Sequence, residues 1–173
     1  MISISGHPAA PTFATPLEML RACHGRILDQ CNTLHKLLQH LPAHGNDHQS
    51  QQAALAIMRY FDTAGVYHHQ DEEVDLFPLL LATGQKEPIE LIGHLLADHQ
   101  KMNSAWLLLR AQLSEIATGN AATLDKDLVD NFSAAYEKHI TLENEQLLPL
   151  AANLLSENQL NRVGEKMADR RKI

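Results

Sequence analysis

Cysteine, aromatic residues and positive charge are all scarce in this sequence. Its 173 residues include two cysteines and 5% aromatics, and 14 lysines and arginines against 21 acidic residues give a formal net charge of -7. We expect no nucleic-acid partner, since basic residues cluster only in the tail Arg170-Arg171-Lys172. We expect reduced thiols, because Cys23 and Cys31 would lie roughly 12 Å apart on one helix, beyond disulfide reach.

Long apolar runs are absent as well, and glycine is infrequent. Residues 1–15 contain two prolines, no lysine or arginine and no apolar stretch, which predicts a flexible N-terminal arm rather than a signal peptide or membrane span. A cytoplasmic protein with no membrane partner is therefore expected. The eight glycines and the abundance of Leu, Ala, Gln and Glu favour helices over sheets, and 45% hydrophobic residues suffice for one core.

Apolar residues recur at intervals of three and four, which predicts four long helices and a short fifth. The first helix should begin with a capping box at Thr15 and Glu18, run to about Leu41, and break at residues 42–46. The other helices are expected from near Asp47 to Leu81, from Pro88 to a stop at Gly119, from after Thr123 to about Leu154, and from a capping box at Ser156 and Gln159.

Short loops between long helices predict an all-α fold, an antiparallel up-down four-helix bundle with a short additional C-terminal helix. We divide the chain into the arm, residues 1–15, the bundle, residues 16–155, and a C-terminal amphipathic helix with its basic tail, residues 156–173. The apolar stripe of the last helix is expected to dock on the bundle or to form a homodimer contact.

Histidine, in contrast, is abundant, and its positions repeat. Residues 68–79 read HHQDEEVDLFPL and residues 139–150 read HITLENEQLLPL, so each contains His-x-x-x-Glu, three residues, Leu, Phe or Leu, Pro and Leu. A spacing of four places histidine and glutamate one turn apart on one helix face. The first and third helices each add one histidine within an apolar stripe.

Two halves with three such residues each indicate a site for two metal ions. Six ligands exceed a tetrahedral zinc site and suit two octahedral ions bridged by both carboxylates. We expect two iron ions with an oxo or hydroxo bridge, although manganese or zinc also fits, and a position open to dioxygen, nitric oxide or peroxide. The predicted ligands are His24, His68, Glu72, His99, His139 and Glu143.

The alternative is that these six residues are ordinary polar groups of the core. Two unpaired buried carboxylates would cost several kcal/mol each, which is large beside a domain stability of about 5–15 kcal/mol. The full set therefore favours a metal site over a metal-free core.

The ordered set resembles the hemerythrin-like, or HHE cation-binding, family over roughly residues 16–155. The resemblance implies an up-down bundle with a non-haem di-iron centre. Oxygen-carrying members use a His-x-x-x-His pair on the third helix, whereas Leu95 and Asn103 stand four residues to either side of His99 here. The four-histidine, two-glutamate pattern is more similar to bacterial proteins of nitrosative stress and iron-centre repair, although these usually carry an additional N-terminal domain with a cysteine motif.

The resemblance thus implies a di-iron protein that binds, senses or responds to dioxygen, nitric oxide or hydrogen peroxide, with iron-centre repair as one role. One alternative is a peroxide- or oxygen-consuming enzyme, for which the sequence offers no dedicated acid, base or pocket. Another is an interaction module filled by zinc or free of metal. We expect a metal-binding or sensing protein rather than a dedicated enzyme.

Several neighbouring residues offer competing assignments. His69 and Glu73 are also four residues apart. Only His68 and Glu72, however, lie at the same distance from the following proline as the pair of the second repeat. We therefore expect His69 and Glu73 at a solvated or supporting edge of the site. Tyr136 is expected to be a packed aromatic near the site. Solvent or boundary positions are expected for Tyr67 and Asp98, and a loop without metal is expected for His40, His44 and His48.

Overall fold

Helices are the regular secondary structure of the part of the chain that the structure describes. The computed structural model describes residues 10–172, so residues 1–9 of the predicted arm and residue 173 lie outside it. Within residues 10–172 there are five helices and no strand, which confirms the all-α prediction. The helices are α1, Pro16–His44; α2, residues 48–81; α3, Lys86–Ala117; α4, residues 126–154; and α5, Glu157–Arg171.

Two of these helices contain wider, π-helical turns. Helix α2 consists of α-helical His48–Tyr60, Val66–Gln70 and Phe77–Leu81, separated by π-helical Phe61–Gly65 and Asp71–Leu76. Helix α4 consists of α-helical Lys126–Leu142 and Leu148–Leu154, separated by π-helical Glu143–Leu147. Helices α1 and α3 each pack against both α2 and α4, so the four long helices surround one interior.

The end of α1 corrects one prediction. Pro42 does not break the helix, because it lies in the last turn, which Gly45 closes by donating its N–H to the Leu41 carbonyl at 2.8 Å. Gly45 then ends the helix with a positive φ of 70°. His40 and His44 are therefore helical rather than loop residues, and their rings stack at a centroid distance of 4.3 Å. His48 is likewise the first residue of α2.

The predicted helix starts are partly correct. The Ser156 hydroxyl accepts a hydrogen bond from the Gln159 N–H, and the Gln159 side chain accepts one from the Ser156 N–H, so the capping box of α5 is confirmed. The box predicted at Thr15 is wrong, because the Thr15 hydroxyl donates to the Thr12 carbonyl instead. Helix α3 begins two residues before Pro88. A proline fits the first helical turn because an N–H at that position would have no partner within the helix.

The core consists of two apolar clusters that meet at the level of the predicted ligands. Leu20 and Leu95 belong to the cluster that also contacts α5, whereas Ile27 and Met102 belong to the cluster at the opposite end. His24 and His99 stand between these pairs in sequence, so they lie where the clusters meet. Apolar side chains therefore close the interior on both sides of the ligands.

Helix α5 docks on the bundle through its apolar stripe. Val163 and Met167 are buried, so the stripe is covered within the chain itself, by α1 and the π-helical Asp71–Leu76 segment. Gly164 lies between them, where the carbonyl of Phe13 approaches the helix closely. None of the helices in residues 10–172 is long and apolar enough to cross a membrane.

Replacing Gly164 with alanine should loosen this contact. A helix-interior Gly→Ala change ordinarily stabilises by about 0.5–1 kcal/mol, but a Cβ here would overlap the Phe13 carbonyl. We expect Gly164→Ala to lower the free energy of unfolding by about 1–3 kcal/mol, as overpacking does, in urea titrations. Gly93→Ala is the control, because a Cβ there meets nothing within 4 Å and should stabilise the protein.

Candidate metal centre

The two repeated His-x-x-x-Glu motifs lead into matching π-helical segments. Glu72 lies in Asp71–Leu76, and Glu143 opens Glu143–Leu147. Each segment ends two residues before a proline, Pro78 or Pro149, which cannot donate to the carbonyl four residues earlier. The wider turns accommodate those prolines, and π-helical turns occur often at functional sites.

One group of four side chains joins helices α1, α2 and α4. The His24 Nε2 atom lies 3.0 Å from Glu143 Oε2 and 3.7 Å from Glu72 Oε1. The His68 Nε2 atom lies 3.3 Å from the same Glu72 oxygen. One nitrogen or oxygen from each of these four residues lies within 4.8 Å of all the others.

A second group of four joins α2, α3 and α4 and shares both glutamates with the first. The His99 Nε2 atom lies 3.4 Å from Glu72 Oε2, and His139 Nε2 lies 3.0 Å from Glu143 Oε1. Each carboxylate thus directs one oxygen to each group, which is the arrangement of a bridging ligand. The six residues predicted from the sequence therefore come together in one cluster.

The cluster is sealed from solvent and electrostatically charged. Each of the six residues is at most 1% exposed. Burial lowers the pKa of His24, yet the nearby carboxylates of Glu143 and Glu72 outweigh it and raise that pKa to about 10. Burial is likewise outweighed at His99, where Glu72 and Glu73 raise the pKa to about 9. Without a cation, protons on these two histidines offset the buried carboxylates.

The pattern of unpaired atoms fits a metal. Among residues 10–172, neither oxygen of Glu72 or of Glu143 accepts a hydrogen bond of normal geometry, and His24 Nε2 makes none, although these nitrogens and oxygens lie as close as 3.0 Å. Buried polar atoms are normally paired, so five such atoms around one point call for a further electrophile. Four imidazoles and two carboxylates suit iron, manganese or zinc.

The residue after each glutamate supports a histidine of another helix. The His99 Nδ1 atom lies 2.6 Å from Glu73 Oε1, and His24 Nδ1 lies 2.7 Å from Asn144 Oδ1. A hydrogen bond from Nδ1–H leaves the Nε2 lone pair free and fixes the ring orientation. Glu73, predicted at a solvated or supporting edge, therefore lies against a candidate ligand. Asn144 was missed, although it occupies the position in the second repeat that Glu73 occupies in the first.

The other two histidines differ in their outer contacts. His139 Nδ1 lies 3.6 Å from Asp98 Oδ2, so Asp98 stands beside a candidate ligand as well as at the protein boundary. His68 Nδ1 has no hydrogen-bond partner in the described part of the chain. The residue before the single histidine is Cys23 in the first half of the chain and Asp98 in the second half. The two halves of the repeat therefore differ in charge at this position.

His69 lies beside the cluster and outside both four-residue groups. Its ring stacks on that of His99 at a centroid distance of 3.9 Å and an interplanar angle of 17°. Burial lowers the pKa of His69 well below its usual range, and the proximity of His99 adds to this. Tyr136 packs against Phe61 and Phe132, which confirms its predicted role as a packed aromatic.

Asp71, between His68 and Glu72 in sequence, is anchored by the C-terminal helix. Its side chain is fully buried and accepts hydrogen bonds from Arg170 and from both Nη atoms of Arg171, at 2.7 and 3.1 Å for the latter. The Arg171 guanidinium also lies 5.7 Å from the Tyr67 ring centroid. The basic tail seen in the sequence thus binds the ligand-bearing turn of α2.

Two comparisons place the chain among known proteins. The hemerythrin family model, described as the hemerythrin HHE cation binding domain, matches residues 15–151. An uncharacterized protein of Haemophilus influenzae is 33% identical over 162 residues, which cover 94% of this chain and 93% of that protein.

Removing the charge of Asp71 should destabilise the turn that carries His68 and Glu72. We expect Asp71→Asn to lower the free energy of unfolding by roughly 3 kcal/mol, because it leaves the largely buried Arg171 guanidinium without a counter-charge and leaves Arg170 paired with Asp75 alone. Chemical denaturation measures this change. Asp130→Asn, which breaks an exposed ion pair with Lys126, serves as the control and should change stability little. Equal effects of the two substitutions would contradict a structural role for the anchor.

Proposed function

Because this chain belongs to the hemerythrin HHE cation-binding family, we propose that its buried cluster holds two iron ions. The observation that carries the proposal is the sharing of Glu72 and Glu143 between two four-residue groups. One ion would be held by His24, His68 and the two glutamates, and the other by His99, His139 and the same glutamates. A solvent-derived bridge would complete the ligand set.

Iron bound there would supply a redox-active cation able to coordinate a small molecule. The protein's own contribution is to hold the ligands in place before a metal arrives. Glu73 and Asn144 keep the Nδ1 atoms of His99 and His24 engaged, which presents both Nε2 atoms to the interior. The two apolar clusters exclude bulk water and thus strengthen electrostatic interactions at the centre.

The donor set favours a sensing or repair role over oxygen carriage. On α3, the positions four residues before and after His99 hold Leu95, which is buried in the apolar core, and Asn103, which is exposed. Helix α3 therefore contributes one histidine to the set. We therefore propose that the protein binds nitric oxide, dioxygen or peroxide, and that it acts in the nitrosative-stress and iron-centre-repair branch of the family. Two free, buried cysteines suit the reducing cytoplasm, where we place this function.

Loss of one histidine should remove metal selectively. We expect the purified wild-type protein to contain two iron ions per chain by elemental analysis, and His68→Ala or His139→Ala to contain one or fewer. His94→Ala is the matched control, since His94 is exposed on α3 and outside both groups. Zinc in place of iron would favour the interaction-module alternative, and a folded wild type without bound metal after iron loading would refute the proposal.

Glu73, the hydrogen-bonding partner of His99, should affect the affinity for iron without itself binding the metal. We expect Glu73→Ala to weaken iron binding about 10–100-fold, as changes beside metal-bound histidines do, while Glu73→Gln retains an acceptor and most of the affinity. Competition with a coloured iron chelator measures this. Glu145→Ala, an exposed glutamate two residues after Glu143, should bind iron like the wild type. Unchanged affinity in Glu73→Ala would show that the 2.6 Å contact does not support the metal.

A further inference from the structure

A row of aromatic rings leads away from the candidate centre. The His69 ring stacks on that of His99 at a centroid distance of 3.9 Å and lies nearly parallel to the Tyr136 ring at 6.2 Å. Two phenylalanines continue the row, since the rings of Phe61 and Phe132 lie 5.8 and 5.1 Å from that of Tyr136. His99 is one of the six candidate ligands, so the row begins at the centre itself.

The row ends at Trp106, the only tryptophan of the sequence. Its ring lies 4.8 Å from that of Phe61 and 5.9 Å from that of Phe132, and it is half-buried at the protein surface. Both phenylalanines and Tyr136 are almost fully buried. Successive rings therefore connect a candidate ligand with an accessible indole, and no centroid distance along the row exceeds 6.2 Å.

Two members of the row, Tyr136 and Trp106, can give up one electron, because phenol and indole are far easier to oxidise than a phenylalanine ring. Each also loses a proton when it is oxidised. The Trp106 indole N–H donates to Asp62 Oδ1 at 3.1 Å, and Arg110 Nε donates to both oxygens of the same carboxylate at 2.9 and 3.0 Å. The Asp62 side chain is 32% exposed, so a proton that it accepts can pass to water.

From this arrangement we propose that Tyr136 and Trp106 form a one-electron relay that carries oxidising equivalents from the centre to the protein surface. The inference rests on the proposed function, since it concerns peroxide at the same centre. Reduction of one hydrogen peroxide to two water molecules takes two electrons and two protons. When only one of these electrons comes from iron, Tyr136 supplies the second, and its phenolic proton goes to water in the small cavity of about 40 Å³ that it lines.

Trp106 completes the transfer. It returns one electron to the oxidised Tyr136, which takes back a proton from water, and the indole proton passes to Asp62. The net change is the loss of one electron and one proton by Trp106. A soluble donor of one electron and one proton, such as ascorbate or a thiol, restores the indole at the surface. The oxidising equivalent is thereby removed from the buried histidines.

Electron transfer between the two residues can be tested without iron. In zinc-loaded protein, whose metal does not change its oxidation state, flash-quench oxidation by a soluble ruthenium photosensitiser should produce a tyrosyl radical by way of Trp106. Tyr60→Phe and Tyr67→Phe are introduced first, so that Tyr136 is the only tyrosine left. Adding Trp106→Phe should reduce the tyrosyl signal in electron paramagnetic resonance roughly fivefold or more. An unchanged signal would overturn the relay and leave the proposed function standing.

Iron-loaded protein tests the role at the centre. With excess hydrogen peroxide, Tyr136→Phe and Trp106→Phe should each accumulate oxidised His99 roughly threefold faster than the wild type, measured by mass spectrometry of peptides. Tyr67→Phe, an equal change outside the row, is the control and should match the wild type. Equal oxidation in all four proteins would overturn the relay alone. A wild type that binds no iron would overturn the proposed function and, with it, the role of the relay.

Discussion

The interaction on which the structure depends is that of two buried carboxylates with four surrounding imidazoles. Glu72 and Glu143 have no solvent exposure, and removing an ion from water costs several kcal/mol unless charge is returned to it. The His24 and His99 Nε2 atoms, 3.0–3.7 Å from these carboxylates, return that charge in the absence of a cation, and the carboxylates raise the pKa values of both histidines. Because the six groups come from four helices, the same requirement draws all four helices together.

The internal repeat places the candidate ligands in equivalent positions but leaves their surroundings different. Glu73 and Asp98, both carboxylates, lie beside His99 and His139. On the other side, His24 meets the neutral Asn144, and His68 Nδ1 has no partner in the described residues. The half around His99 and His139 therefore carries more negative charge. His69 adjoins this same half, since its ring stacks on that of His99.

The sequence predicts which six residues come together in the cluster, because their signal is local. A spacing of four on one helix face, repeated after 71 residues at His68 and His139, identifies two pairs without knowledge of the fold. Helix ends are less predictable, because Pro42 acts differently in a last turn than in a helix interior. The stacking of His69 on His99 could not be predicted, because the two rings meet only once α2 and α3 are packed.

The anchor of Asp71 shows the same limit over a longer distance. Nothing in the local pattern connects Asp71 with Arg170 and Arg171, which are 99 and 100 residues away. The charge run at the C-terminus is typical of a solvated tail, yet the Arg170 and Arg171 side chains are 15% and 16% exposed and bind a fully buried carboxylate. Since Asp71 adjoins Glu72, docking of α5 and the position of the Glu72 carboxylate are connected through this turn of α2. A helix outside the four-helix bundle thus helps to fix the geometry of the centre within it.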